Sequence, residues 1–240
     1  MVKLTIDNKP VEIEEGATIL EAAIKAGVTI PTLCYNEELS PAGACRVCAV
    51  EIAGDPAQLI VTSCNYPVAP GMVVSTKSGM AVKARKLAVE MLMAQHPHSE
   101  KIAKLAQALG LSEPRFSVKS EECILCRLCV RTCQEVVGVN AITFIAQGLE
   151  RENKEAAVVW TPDKCIACGS CAYICPTQAV TLNDNQGMRT INTPSVKMKF
   201  KLKACTKCGN FYAPEKQLAY MAKTAKLPIE KFDLCLDCRE

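Results

Sequence analysis

The residues best suited to chemistry in this chain are its sixteen cysteines, which form four groups of four with none left over. Thiolate sulphur binds zinc and iron, and each group is spaced as a metal site. The sequence therefore predicts a chain of metal centres. The four groups are Cys34, Cys45, Cys48, Cys64; Cys123, Cys126, Cys129, Cys133; Cys165, Cys168, Cys171, Cys175; and Cys205, Cys208, Cys235, Cys238.

A disulfide framework is the other interpretation of an even cysteine count. The N-terminal residues lack the charged and apolar regions of a secretory signal, and 240 residues with 49% hydrophobic content can bury cores without cross-links. No run of 18 uncharged apolar residues is present. We therefore expect metal-binding cysteines rather than disulfides, in a soluble cytoplasmic protein.

The formal net charge of +3 counts every cysteine as neutral. Bound cysteines are thiolates, and four centres that each carry about −2 with their ligands would bring the chain to roughly −5. The basic composition by itself is therefore weak support for a nucleic-acid partner.

The two central groups share the spacing C-x2-C-x2-C-x3-C, which is typical of bacterial ferredoxins with two 4Fe-4S clusters. In that pattern the fourth cysteine of each run binds the other cluster. Paired zinc sites are the alternative. The predicted ligand sets are Cys123, Cys126, Cys129 with Cys175, and Cys165, Cys168, Cys171 with Cys133.

The residues before the first group predict a β-hairpin, because 2–7 and 11–14 alternate between apolar and polar residues. Thr18 and Glu21 then form a capping-box pattern at the start of a helix that Gly27 should end. Its predicted apolar face consists of Ile19, Leu20, Ala23 and Ile24. Hairpin, helix and cysteine loop follow one another as in a β-grasp ferredoxin.

The first cysteine group lacks the plant-type spacing, because long spacers separate Cys34 from Cys45 and Cys48 from Cys64. The segment 31–51, with its Cys-Arg-Val-Cys motif, resembles the N-terminal domain of the large iron-sulfur subunit of respiratory complex I. NAD-linked hydrogenases and formate dehydrogenases share that domain. The resemblance implies that this group holds a 2Fe-2S cluster, and a structural zinc site is the alternative.

Residues 80–112 predict two helices, the first with Val82, Leu87, Val89, Leu92 and Met93 as its apolar positions. Complex I large subunits usually continue here with His-x3-Cys-x2-Cys-x5-Cys, which binds an additional 4Fe-4S cluster. In this chain His96 is followed at those positions by Glu100, Ala103 and Leu109. We therefore expect no cluster here, and a capping or packing role for His96.

The segment 133–142 is similar to the corresponding part of iron-only hydrogenases and complex I-like subunits. Further along the chain, Trp160 is expected in the core.

Residues 196–203 alternate strictly between apolar residues and lysines. This pattern predicts a half-buried strand, whose basic face is either solvated or a docking surface for an acidic partner.

The last group forms two C-x2-C knuckles on either side of a helix predicted over 215–226. Four thiolates so arranged predict a closed structural zinc site, with mononuclear iron or a further iron-sulfur cluster as alternatives.

The expected fold class is α+β, in four segments. These are a β-grasp 2Fe-2S ferredoxin domain (1–79), a helical linker (80–112), a two-cluster bacterial ferredoxin domain (113–195) and a small zinc-ribbon-like module (196–240).

The sequence has no G-x-G-x-x-G after a strand, no phosphate loop and no nucleophile-base constellation. Several redox centres without a substrate site predict a non-catalytic electron-transfer protein. The resemblance implies an iron-sulfur subunit of a hydrogenase, formate dehydrogenase or bifurcating transhydrogenase linked to NAD(P). Its implied partners are a flavoprotein NAD(P)-binding subunit, a thioredoxin-like 2Fe-2S subunit and a terminal catalytic subunit. A free diffusible electron carrier is the alternative, and a zinc-containing nucleic-acid binder is a weaker one.

Overall fold

The structure is a computed structural model that describes residues 1–54, 58–117, 123–146 and 156–239. The chain divides into two compact units, Met1–Arg127 and Leu128–Glu240. Among the described residues, none of the helices is long and apolar enough to cross a membrane.

The first unit is built on a mixed five-stranded sheet in the order β2-β1-β5-β3-β4. The predicted hairpin is confirmed, because β1 and β2 pair antiparallel, while β1 and β5 run parallel. The strands are β1 (Val2–Ile6), β2 (Lys9–Ile13), β3 (Ala49–Ala53), β4 (Leu59–Thr62) and β5 (Val73–Ser75).

Helix α1 (Ile19–Lys25) packs against this sheet and has the predicted capping box. The Glu21 N–H donates to Thr18 Oγ1 at 3.2 Å, and the Thr18 N–H donates to Glu21 Oε2 at 2.6 Å. The predicted apolar face is wrong at Ile24, which is 60% exposed. At about 100° per residue Ile24 lies some 140° around the helix from Ile19, so it falls outside the buried stripe.

Helices α2 (Gly79–Gln95) and α3 (Glu100–Ala108) confirm the helical prediction for residues 80–112. The predicted apolar stripe of α2 is wrong at Leu87, which is 47% exposed. The helix instead buries Arg85 and Glu90 among its apolar residues. The local periodicity missed these two because each is buried with a polar partner distant in the chain.

The second unit begins with α4 (Leu128–Arg131), which continues into a π-helical turn, Thr132–Val136. A hairpin follows, formed by β6 (Ile142–Ile145) and β7 (Ala157–Trp160). Trp160 is buried, as predicted. The short helix α5 (Ser170–Ile174) carries one of the cysteines of the third group.

A four-stranded antiparallel sheet in the order β11-β10-β9-β8 completes the second unit. Side chains of β10 alternate between buried and exposed along most of the strand, which confirms the predicted half-buried strand. The predicted C-terminal helix is present as α6 (Glu215–Ala225). The strands are β8 (Thr181–Asn185), β9 (Met188–Asn192), β10 (Lys197–Ala204) and β11 (Phe211–Pro214).

Candidate metal centres

The four cysteines of the first group are buried in the first unit, Cys48 and Cys64 within its main core. The Cys64 side chain donates a hydrogen bond to the Cys48 thiolate and lowers the pKa of Cys48 to about 7. Hydrogen bonding with Cys34, together with burial, raises the pKa of Cys45. The structure thus gathers all four thiols, and their soft sulphur donors suit iron.

The loop that carries these cysteines is fixed by backbone N–H groups that point at sulphur. Hydrogen bonds from the Val47 N–H to Cys45 and from the Gly43 N–H to Cys64 favour the thiolate forms. Gly43 has φ +59°, and a Cβ there would lie 2.7 Å from the Asn65 side chain. The left-handed φ and this close approach both favour glycine at this position.

A buried arginine lies beside this site, and sequence reasoning missed it. Arg85 Nε on α2 donates to the carbonyl oxygen of Ala49 at 2.8 Å, and Ala49 directly follows Cys48. A second bond goes to the carbonyl of Thr76. Burial lowers the pKa of Arg85, and the negative charges of Asp7 and Cys48 oppose that shift. The only sequence signal was a charged residue inside an apolar helix pattern.

Both central cysteine runs adopt the same local backbone conformation. The residues two and four positions after the first cysteine have left-handed φ angles: 52° and 62° for Leu125 and Arg127, 61° and 83° for Ala167 and Gly169. A Cβ on Gly169 would lie 2.5 Å from Leu182 Cδ1. The left-handed conformation is unfavourable for residues other than glycine, so its repetition at equivalent positions indicates that both loops have the same shape.

The structure brings Cys133 to the three cysteines of the second run. Cys133, Cys165, Cys168 and Cys171 line one pocket, together with Trp160 and Ile191. The Ala141 N–H donates to Cys133 Sγ at 3.3 Å, and the Ala167 N–H donates to Cys165 Sγ at 3.4 Å. Burial and the neighbouring thiols raise the pKa of Cys171 to about 12. Four crowded thiols, of which Cys133 and Cys171 are buried, favour binding of a positively charged metal, which lets them ionise.

The cysteines of the other predicted 4Fe-4S ligand set are divided between the two units. Cys123 and Cys126 lie in the first unit, and Cys129 and Cys175 lie in the second. Their assignment to one cluster stays a prediction.

An arginine that the sequence did not point to donates a hydrogen bond to the loop between Cys165 and Cys168. Arg189 Nη1 on β9 donates to the carbonyl oxygen of Ala167 at 3.0 Å. Asp184 holds this guanidinium through two hydrogen bonds of 2.8 and 2.7 Å. The Asp184–Arg189 pair lies across a tight hairpin, which is the signal that could have found it.

The four tail cysteines form a compact cluster in which all four sulphurs lie within 4.8 Å of one another. The Cys208 and Cys235 sulphurs are 3.8 Å apart. A tetrahedron with metal-sulphur bonds of about 2.3 Å has edges of about 3.8 Å, so the spacing fits one metal ion. Backbone N–H groups of Cys208 and Cys235 lower the pKa of Cys205 to about 6, which favours the thiolate that a metal needs.

His96 is the C-terminal cap residue of α2, and its N–H donates to the Leu92 carbonyl at 2.9 Å. Its ring is buried, burial lowers its pKa, and Nε2 has no hydrogen-bond partner among the described residues. The capping position and the burial confirm the predicted role.

Comparison with known proteins identifies two domains. Residues 1–79 match the 2Fe-2S iron-sulfur cluster binding domain, and residues 122–179 match the 4Fe-4S dicluster domain. The chain therefore combines these two iron-sulfur domains in a mixture of helices and strands, as the sequence predicted.

The relatives belong to NAD(P)-linked enzymes. The chain is 35% identical over 206 residues to NADPH-Fe(3+) oxidoreductase subunit alpha of Geobacter sulfurreducens, with 74% of this chain and 24% of that protein covered. It is 35% identical over 174 residues to the mitochondrial NADH-ubiquinone oxidoreductase 78 kDa subunit of Neurospora crassa, with 61% and 23% covered. The chain thus spans about a quarter of the length of these curated relatives.

A solved structure of NAD+-reducing [NiFe]-hydrogenase in the H2-reduced state contains a similar chain, with a TM-score of 0.63 and 28% identity. The match covers 74% of this chain and 85% of that one. The protein resembles the iron-sulfur subunits of complex I and of NAD-linked hydrogenases.

Proposed function

We propose that this protein is a non-catalytic iron-sulfur subunit that transfers electrons within a soluble cytoplasmic NAD(P)-linked oxidoreductase. Iron-sulfur clusters, when bound, accept and release single electrons. The observation that carries the proposal is the succession of a 2Fe-2S domain and a 4Fe-4S dicluster domain in one chain, similar to subunits of enzymes that act on NAD(P).

The protein's own residues have three tasks in this proposal. The first group of cysteines holds a 2Fe-2S cluster, and the two central runs hold two 4Fe-4S clusters with Cys133 and Cys175 exchanged between them. Backbone N–H groups such as those of Ala141 and Ala167 donate to the ligand sulphurs, which stabilises negative charge there. Apolar residues such as Trp160 and Ile191 keep water away from one of the sites.

The tail site holds a zinc ion in the same proposal. Four thiolates leave no open position for a substrate, and zinc has no redox chemistry. The site would therefore stabilise a zinc-ribbon-like module, in which Leu218, Ala222 and Phe232 form a small buried apolar cluster.

The implied partners are a flavoprotein NAD(P)-binding subunit, a thioredoxin-like 2Fe-2S subunit and a terminal catalytic subunit. Anaerobic affinity purification of the tagged chain from its native cells tests this. The expected result is a stoichiometric complex that contains a flavoprotein and reduces an artificial dye with NADH or NADPH. Recovery of the chain alone, with its clusters intact, would contradict the subunit role and favour a free electron carrier.

A further inference from the structure

The sheet of the second unit has one face directed at the pocket of the second cysteine run. Ile191 on β9 lines that pocket and pairs in register with Leu182 and Met198 on its two neighbouring strands. Arg189, also on this face by its pairing with Phe200, donates to the carbonyl of the cysteine loop. This face of the sheet therefore covers one of the candidate iron sites.

The opposite face is basic and contains no acid. Side chains of directly paired residues lie on the same face of a sheet, so the register defines three rows across β10, β9 and β8. The rows are Lys197, Asn192, Thr181; Lys199, Thr190, Asn183; and Lys201, Met188, Asn185. We call these nine residues the lysine face, and its three lysines are exposed.

The charged groups near the lysine face leave its lysines in excess. Asp184 lies on the other face of the sheet, where it is paired with Arg189. Lys203, the next lysine of β10, is paired with Asp233 at 2.5 Å. Lys197, Lys199 and Lys201 form no ion pair with any residue that the structure describes.

A groove runs beside β10 and adds both signs of charge. Asp163, Glu215 and Lys216 line it together with residues 196–201. Lys216 lies over the Phe200 ring, with its Nζ 5.5 Å from the ring centroid. The three lysines of the lysine face and Lys216 outnumber the two acids of the groove, so this side of β10 stays basic.

We propose that the lysine face docks a carboxylate-rich surface of an electron-transfer protein. The proposal rests on the proposed function, which requires such a partner. Complementary charges would steer that partner onto the sheet that covers the site of Cys165, Cys168 and Cys171. A protein fits better than a nucleic acid, because none of the nine residues is aromatic or an arginine, which single-stranded nucleic-acid sites use for stacking.

Lysines on a free strand edge also prevent unwanted strand pairing. β11 pairs only with the end of β10, from Leu202 onward, so the earlier part of β10 has one edge unpaired among the described residues. Glutamate blocks edge pairing as well as lysine does, since both are charged. Reversing the charges therefore separates docking from edge protection.

The test measures binding of the full, cluster-loaded chain to a fluorescently labelled acidic 2Fe-2S ferredoxin by fluorescence anisotropy, from about 20 to 200 mM salt. The test variant is K197E/K199E/K201E. The control K83E/K101E/K104E makes the same charge change at exposed lysines of α2 and α3. The proposal predicts salt-dependent binding that falls at least about tenfold in the test variant and changes less than about twofold in the control.

Equal loss in both variants would overturn the proposal, since it would mean that only total charge matters. Unchanged binding in the test variant would overturn it in favour of edge protection. If the test variant loses affinity only for an oligonucleotide of about 20 nucleotides, the surface is a nucleic-acid site. Circular dichroism and EPR of each reduced variant check folding and clusters. Absence of cluster signals in the unaltered chain would contradict the proposed function and leave docking to be judged by the binding alone.

Discussion

At the scale of single residues, two arginines hold the loops that carry cysteines: Arg85 donates to the carbonyl of Ala49, and Arg189 donates to the carbonyl of Ala167. The four tail thiols and the set containing Cys133 lie together as the spacing suggests. Arg85 and Arg189 escaped prediction, because each acts on a backbone carbonyl in a distant segment. A sequence pattern reports neighbours along a helix or strand, and it does not report such contacts.

Crossed ligation makes a residue-scale prediction. Cys175→Ser should damage the cluster bound by Cys123, Cys126 and Cys129, although Cys171 is its closer neighbour in sequence. Cys171→Ser, the matched control, should damage the other cluster. EPR of the two reduced variants should therefore show loss of different signals. Loss of the same signal in both variants would refute the exchange.

Arg85 should influence the 2Fe-2S site electrostatically. Replacement by methionine removes a buried positive charge next to Cys48, so the reduced, more negative cluster loses stabilisation. The reduction potential should fall by tens of millivolts, at about 59 mV for each tenfold change in the equilibrium. Arg85→Lys keeps the charge and should shift the reduction potential less. An EPR-monitored redox titration measures the potentials of the unaltered chain and the two variants. Equal potentials in all three would show that Arg85 is only structural.

At the scale of elements, local signals predicted much of the fold. The capping box of α1, the β1–β2 hairpin and the alternation of β10 depend on residues close in sequence, and all three are confirmed. The apolar faces of α1 and α2 were partly wrong at Ile24 and Leu87. Which side of a short helix is buried depends on where it packs, which its own sequence fixes only approximately.

The β8–β9 hairpin should stabilise the 4Fe-4S cluster proposed for Cys165, Cys168, Cys171 and Cys133. Arg189→Leu leaves the carbonyl of the buried Ala167 without its hydrogen bond, a loss of about 1–3 kcal/mol of local stability. One 4Fe-4S EPR signal should then disappear faster on exposure to an iron chelator. Arg189→Lys keeps the charge but loses the bidentate contact with Asp184, so its EPR signal should disappear at an intermediate rate. Identical rates in all three proteins would contradict a role for the hairpin.

The tail module should depend on its metal for folding. Binding of zinc to four thiolates supplies about 10 kcal/mol or more, whereas the apolar cluster around Phe232 is small. Replacing Cys235 and Cys238 with serine should make residues 205–239 sensitive to limited proteolysis, while the visible absorption of the iron-sulfur clusters stays. A protease-resistant tail in the metal-free variant would contradict this account.

At the scale of the whole molecule, the sequence predicted the two iron-sulfur domains and the resemblance to subunits of NAD(P)-linked oxidoreductases. Both are confirmed. The identity of the partners does not follow from the sequence, because docking surfaces are assembled from several strands or helices. The lysine face illustrates this, since β10 supplied a visible pattern but the acid-free rows on β8 and β9 emerged only from the strand register.

Metal analysis combined with an EPR redox titration of the anaerobically purified full chain tests the central claim most directly. In the proposed account, twelve cysteines would hold one 2Fe-2S and two 4Fe-4S clusters, about ten iron atoms per chain, and the tail would add one zinc. We expect these contents and three cluster signals on reduction. Iron in place of zinc in the tail, a third 4Fe-4S signal coupled to the His96 nitrogen, or a preparation that holds only zinc would contradict the account.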